Sequence, residues 1–341
     1  HMLMRVLITG HNGYVGRVLT KLLIENNYEV VGCDINYFPA TFDDNNYPEI
    51  LNVSPDIRDI TIENLKEIDV VVHLAGLSND PLGELNSQLT HEINYLSTIK
   101  LAELSKNAGV KKFIFSSSCA TYGKTSAIVN EESDLEPLTQ YAKSKINSEF
   151  KILELVDDVF CPTVLRNATA YGYSPNLRLD IVVNNLTASA FVTGKVKLLS
   201  DGTAWRPLLH VEDMANAFLT VMKAQNELAA GQIFNVGNNN DNFSVREIAE
   251  QVQEIVPDSK VEFANQSNKD FRSYKVDFDK IAKVLNFKTK WNLKDGIKQL
   301  YDVFVKEKFL ESDFNDKKFH RINQLKWLIE EGHLDEHFKI N

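Results

Sequence analysis

The stretch MRVLITGHNGYVGRVLTKLLIENNYEVVGCD, residues 4–34, decides the fold. Residues 4–9 form an apolar run that ends at Gly10, as a strand buried on both faces does. Tyr14–Glu25 carries helical periodicity through Val15, Val18, Leu19, Leu22 and Leu23. Glu29–Cys33 is a second short apolar strand, closed by Asp34. Gly10, Gly13 and Gly16 fall at three-residue intervals between the first strand and the helix. Glycine there permits a tight turn and close backbone approach to a pyrophosphate, which then rests on the helix N-terminus. The spacing is G-x-x-G-x-x-G, not the G-x-G-x-x-G of the standard dinucleotide fingerprint. Asp34 lies 18 residues past Gly16. A carboxylate at that strand end accepts hydrogen bonds from ribose hydroxyls and repels a 2′-phosphate, which favours NAD over NADP. Arg58 is near in sequence, but nothing sets it on such a phosphate.

The same rhythm continues. Residues 70–74 and 113–115 read as strands, the second running into Ser116–Ser118; residues 163–165 read as another, ending at Arg166 and Asn167. Helices are expected over residues 86–108 and 140–155. Strands alternating with helices of this length imply parallel pairing, hence an α/β, doubly wound, Rossmann-type sheet. After Asn167 the pattern becomes irregular, returns to the sheet layer near residues 208–224, and turns largely helical from Ser244. Two units are therefore expected. One is a dinucleotide-binding domain of residues 3–167 plus about 207–236. The other is a smaller mixed α/β substrate lobe of about 168–206 and 237–341.

Composition narrows the class. The 341 residues carry 43% hydrophobic and 25% charged side chains, ordinary for a globular protein. The formal net charge of -10 argues against nucleic acid as a partner. Three cysteines, Cys33, Cys119 and Cys161, are too few and too odd for a disulfide framework and fit a reducing cytoplasm. No run is long enough to span a bilayer, so no membrane partner is expected, and no metal site either.

Chemistry enters with QYAKSKINSEF. Tyr141 and Lys145 are four residues apart, which stacks both side chains on one helix face. Of the 11 tyrosines, Tyr141 alone has a lysine four residues on. An ammonium beside a phenol favours the phenolate, so a tyrosine held this way can act as a base near neutral pH. Ser118 stands at a strand end, where it can serve as a capping serine or as a hydroxyl in the site.

Taken together, TGHNGYVG, Asp34, DIRD (residues 56–59), HLAG (73–76), Asn94, FSSSCATYG, YAKSK, LRNATAYG, Asn185-Leu186, DGTAWRPLLHVEDMA and FRSYKVD resemble the extended short-chain dehydrogenase/reductases. Among these the chain is most similar to the NAD-dependent nucleotide-sugar epimerase/dehydratase family. The resemblance implies that Tyr141 is the acid/base on a sugar hydroxyl. It implies that Lys145 binds the nicotinamide ribose and that Ser118 bonds the same hydroxyl as Tyr141. It implies an NAD site built from Gly10, Asn12, Gly13, Tyr14, Val15, Gly16, Asp34, Asp56, Ile57, Leu74, Ala75, Gly76 and Asn94, with Tyr141 and Lys145. It assigns a nucleotide-diphosphate sugar to Ser78, Ser118, Asn167, Asn185, Arg206 and Arg272, the two arginines and two asparagines on or near the diphosphate. Family members commonly dimerise through the helices expected here at 86–108 and 140–155.

Departures from the family pattern sharpen the expectation. Dehydratases of the family carry an Asp-Glu pair after the catalytic hydroxyl residue; the matching positions here are Cys119 and Ala120. The 4-epimerases carry small residues there, as this chain does. A one-residue gap would instead align Cys119 with the acid/base cysteine of related 3,5-epimerases; the other reading is a small packed cysteine. The expected activity is NAD-dependent epimerisation through a transient 4-keto sugar. The alternatives are a one-way 4-dehydrogenase or 4-ketoreductase, and a non-catalytic NAD-binding regulator, a class that typically loses the Tyr or Lys retained here.

Overall fold

The computed structural model describes residues 2–44, 46–77, 85–263 and 273–341. Seven parallel strands form the main sheet: β1 (Arg5–Thr9), β2 (Glu29–Cys33), β3 (Asn52–Ser54), β4 (Val70–His73), β5 (Lys112–Ser118), β6 (Cys161–Asn167) and β7 (Ile233–Val236). Their order is 3-2-1-4-5-6-7, so the winding reverses between β1 and β4. A crevice opens beyond the strand C-termini at such a reversal. Helices cover both faces. On one, α1 (Tyr14–Glu25) and α6 (Val211–Lys223) bury Leu19, Leu23, Met214, Phe218 and Met222 against the sheet. On the other, α3 (Ser97–Ala108) and α4 (Gln140–Leu153) bury Leu101, Ala102 and Ile152.

The expected strands are present, but two run longer than their apolar stretches. β5 pairs with β6 all the way to Ser118↔Asn167. The additional residues are polar because they face a buried hydrogen-bond network and the site, so hydrophobicity alone understates their length. The helix expected over 86–108 is also not uniform. A π-helical turn at Glu92–Leu96 separates α2 (Ser87–His91) from α3. Wide turns of this kind often sit at functional positions. Here it carries Asn94, whose Oδ1 accepts from Leu77 N–H at 2.7 Å and whose Nδ2 donates to the Leu77 carbonyl at 3.1 Å.

A second core lies beside the first. It joins Leu177 and Leu179 to buried residues of α5 (Val182–Thr193), α7 (Val245–Ile255) and α8 (Leu293–Lys306). Two small sheets frame it, Thr169–Tyr171 with Trp205–His210 and Asn242–Ser244, and Lys195–Leu198 with Lys260–Phe263; Lys124–Val129 pairs with Ser273–Val276 and packs Val129, Tyr274 and Val276 into the first core. The chain ends elsewhere. From α9 (Arg321–Glu330) onward, Leu325, Leu334 and Phe338 pack on Tyr37, Leu77, Leu89 and Ile93, beside the ends of β2 and β4.

Candidate active site

The ends of β1 and β4 are tied together by Thr9 and His73. Thr9 Oγ1 accepts from the N–H groups of Leu74 and Ala75 at 3.0 and 3.1 Å and meets His73 Nδ1 at 2.6 Å. With two amides already donating to it, the hydroxyl gives its own proton to Nδ1. That puts the imidazole proton on Nε2, which faces Thr98 Oγ1 at 2.7 Å. Burial, with Lys145 nearby, pushes the His73 pKa down to about 3, so the ring is a neutral structural bridge.

The glycine loop then turns into α1. Gly10 has φ +76°, and a Cβ on Gly16 would stand 2.1 Å from the Gly10 carbonyl oxygen. Neither position tolerates a side chain without rearrangement. Gly13, the N-cap of α1, makes no side-chain cap, and the first helical turn holds no acid. Those amides are thus open to an anion, and the helix dipole favours one. Asp34 accepts from the backbone N–H groups of Asn12 and Asn36 at 3.0 and 2.8 Å, which fixes its carboxylate at the loop. Arg58 is committed elsewhere, donating from Nε and Nη2 to Asp56 and from Nη2 to the Phe338 carbonyl.

At the next strand ends, α4 is pinned by a buried network. Arg166 on β6 binds Glu149 at 2.7 Å, Glu149 accepts from Ser117, and Arg166 donates to Tyr122 Oη at 3.0 Å. One turn towards the N-terminus of α4 stands Lys145, buried, with Nζ donating to the Ser116 carbonyl at 2.9 Å. Nζ lies 4.9 Å from the Phe115 ring centre and 5.6 Å from that of Tyr141. Burial lowers the Lys145 pKa to about 8, against the opposing pull of Glu149, so it remains mostly an ammonium at pH 7. Ser118 Oγ accepts from Ala120 N–H at 3.0 Å, which leaves its O–H to donate. The capping and catalytic readings of Ser118 are therefore compatible.

These groups share one cleft of about 960 Å³. Gly10, Gly13, Tyr14, Val15, Gly16, Asp34, Asp56 and Ile57 line one end, and Leu74, Ala75 and Gly76 follow along its floor. Ser118, Tyr141 and Lys145 stand at the middle, and Asn167, Asn185 and Arg206 lie on the wall towards the second core. Asn167 Nδ2 donates to Ser116 Oγ at 3.0 Å, while its buried Oδ1 has no partner among the described residues. Asn185 Nδ2 holds the Leu179 carbonyl at 2.8 Å; the Arg206 guanidinium stands over the Tyr274 ring.

Two expected cofactor residues do not line the cleft. Asn94 is buried and spends its amide on Leu77, so it shapes the segment after β4 from behind. Asn12 turns its side chain to Asn36 Oδ1 and contributes through its backbone to Asp34. Ser78 and Arg272 lie outside the described residues. Cys119 is packed: 1% exposed, Sγ donating to the Arg166 carbonyl, its pKa raised by burial. That excludes the acid/base reading of Cys119 in this conformation. His210 and Asp213 are structural. His210 Nδ1 caps α6 at Glu212 N–H, and Asp213 accepts from the N–H groups of Lys290 and Trp291.

Sequence reasoning missed Arg321. It is 3% exposed and lines the cleft from α9, with Nη1 unpartnered among the described residues. Asp180, also in the cleft wall, binds Arg178 at 2.8 Å and accepts from Arg321 N–H at 3.1 Å. The only local hint was an arginine in a chain with few of them, more than a hundred residues from its partners.

A glycine-cradled, uncapped helix terminus, an acid at the end of β2 and a Tyr-Lys pair over one cleft define a dinucleotide-dependent enzyme. The residues fit NAD: the open amides suit its diphosphate and Asp34 its ribose. Residues 6–237 match the NAD-dependent epimerase/dehydratase family. The chain belongs to that family. It is 28% identical over 270 residues to the UDP-glucose 4-epimerase of Corynebacterium glutamicum, covering 74% of this chain and 80% of that one. It is 25% identical over 313 residues to UDP-glucuronic acid decarboxylase 6 of Arabidopsis thaliana, covering 88% and 89%. Its fold is similar to the UDP-glucuronic acid 4-epimerase of Bacillus cereus solved with UDP-glucuronic acid and NAD. There the TM-score is 0.77 at 23% identity, over 90% of this chain and all of that one.

Proposed function

We propose that this protein is an NAD-dependent nucleotide-sugar 4-epimerase. The observation that carries the reading is the placement of Tyr141 and Lys145 on the wall of one cleft, between the glycine loop and Arg206. Tyr141 takes the proton of the sugar 4-hydroxyl, and Ser118 donates to that hydroxyl's oxygen. Lys145 holds its ammonium beside the phenol and favours the phenolate. NAD held by the glycine loop, Asp34 and Lys145 would supply reversible hydride transfer at the sugar carbon, to either face of the ketone. Arg206 and Asn185 bind the substrate diphosphate, and Asn167 Oδ1 accepts a donor from the substrate. Arg272 and Ser78 are proposed for the same ligand from sequence alone.

Carboxylate placement supports epimerisation over dehydration. Among the described residues the acids lining the cleft are Asp34, Asp56 and Asp180. Asp56 is held by Arg58 and Asp180 by Arg178, and Asp34 belongs to the glycine loop. None sits at positions 119 or 120, where a dehydratase needs its proton relay. We also propose a homodimer through α3 and α4, whose neighbourhood exposes Leu96 at 51% and Phe150 at 58%. The unpaired Cys33, Cys119 and Cys161 are consistent with a reducing cytoplasm. The test is to supply UDP-, GDP-, CDP- and dTDP-hexoses without added NAD and follow the 4-epimer. Stoichiometric consumption of added cofactor with release of a keto sugar would instead establish the one-way oxidoreductase.

A further inference from the structure

We propose that residues 321–341 form a clasp over the cofactor end of the cleft, and that Arg321 donates to the diphosphate of the bound dinucleotide. The inference rests on NAD occupying the cleft as above. Arg321 stands between two landmarks. Its guanidinium lies 4.2 Å from the Phe38 ring centre and feels the charge of Asp34, which marks the ribose end. Its neighbour Arg178 interacts electrostatically with Tyr141, which marks the reacting end. The diphosphate of a dinucleotide spans that interval.

Charge calls for an anion there. Arg178 engages the Asp180 carboxylate through Nε and Nη2, and Asp180 and Asp34 both act on the buried Arg321 guanidinium by charge. Arg321 reaches Asp180 through its backbone N–H, and its Nη1 is buried without a partner among the described residues. A buried cation left with an unpaired donor is costly, and a phosphate oxygen removes that cost. Burial lowers the Arg321 pKa to about 9, with Arg178 adding to the effect, as expected of a site completed by ligand.

The tail that delivers Arg321 is anchored to the cofactor crevice itself. Tyr37 Oη donates to the Phe338 carbonyl, and Gln324 Nε2 donates to the Tyr37 carbonyl at 3.2 Å. Lys339 pairs with Asp59 at 3.2 Å. Tyr37 follows β2 and Leu77 follows β4, the two strands on either side of β1 at the reversal. Loosening this tail therefore opens the rim over the dinucleotide and speeds its escape.

The experiment compares wild-type holoprotein with Arg321→Gln and Phe338→Ala. It measures exchange of bound NAD against labelled NAD, binding of ADP and of adenosine, and KM for the nucleotide sugar. Both variants should speed NAD exchange by about tenfold or more, the scale of one charge-assisted hydrogen bond. Arg321→Gln should weaken ADP but not adenosine, and should leave the sugar-nucleotide KM within about twofold. Arg321→Lys, which keeps the charge, should recover part of the ADP affinity and covers the case in which Arg321→Gln does not fold. A raised KM with unchanged NAD exchange would move Arg321 to the substrate and overturn the proposal. NAD exchange unaltered in all variants would overturn it too. Wild-type protein that binds neither NAD nor ADP would instead defeat the dinucleotide reading itself.

Discussion

Tyr141 depends on a chain of contacts running back along α4. Glu149 is fixed by Arg166 and Ser117, Lys145 sits one turn earlier on the Ser116 carbonyl, and Tyr141 one turn earlier again. Removing the phenolic oxygen should therefore leave the scaffold intact. Tyr141→Phe is expected to lower kcat by about a thousandfold, within the usual range for a positioned acid/base, while the NAD content of the purified protein stays level. Activity within about tenfold of wild type would take Tyr141 out of the chemistry. The proposed catalytic pair was legible because its spacing is local: a lysine one helical turn from a tyrosine shares its face wherever the helix packs. Arg321 was not, since only folding brings it to Asp180 and Phe38.

The π-helical turn at Glu92–Leu96 shows where elements escape sequence. Residues 86–108 read as a helix because the apolar period runs through them. The widening carries no local signal, because its counterpart is Leu77, on another segment. Asn94 in that turn satisfies both backbone groups of Leu77, next to Gly76, where a Cβ would stand 2.8 Å from Asn94 Oδ1. Asn94→Ala strands two buried backbone groups and should cost about 1–3 kcal/mol in a urea titration. It should also weaken NAD binding, since Leu74, Ala75 and Gly76 line the cleft. Full stability and full NAD affinity would show Asn94 to be idle. By contrast β1, α1 and β2 were legible almost to the residue, because strand, loop and helix there each obey a single period.

At the scale of the molecule, two cores meet along one cleft, and the doubly wound sheet followed from the alternation of its strands and helices. The folding-back of the tail onto the ends of β2 and β4 did not, since Leu325, Leu334 and Phe338 name no partner in sequence. The meeting of the two cores also leaves buried neutral imidazole. His210, stacked on Trp291 at 4.0 Å, has its pKa lowered to about 4 by burial, partly offset by Gln299. The unfolded chain takes up that proton near pH 6.5, so the stability His210 confers is present above 6.5 and is lost as pH falls towards 4. Asp241, raised to about 6 by burial and by Asp213, works in the opposite sense, so the comparison must be differential. The stability advantage of wild type over His210→Gln should shrink by roughly 2 kcal/mol between pH 7 and pH 5. A pH-independent difference would mean that His210 takes up its proton in the fold as readily as in the unfolded chain.

In the proposed reaction, hydride leaves and returns to the same sugar carbon. The direct measurement gives the enzyme, with no NAD added, the preferred nucleotide hexose carrying deuterium at C4, and reads the product by NMR. Epimerisation with the label retained at C4, and no accumulation of keto sugar, is the predicted result. Loss of the deuterium into added cofactor, with one keto sugar formed per NAD consumed, would contradict it.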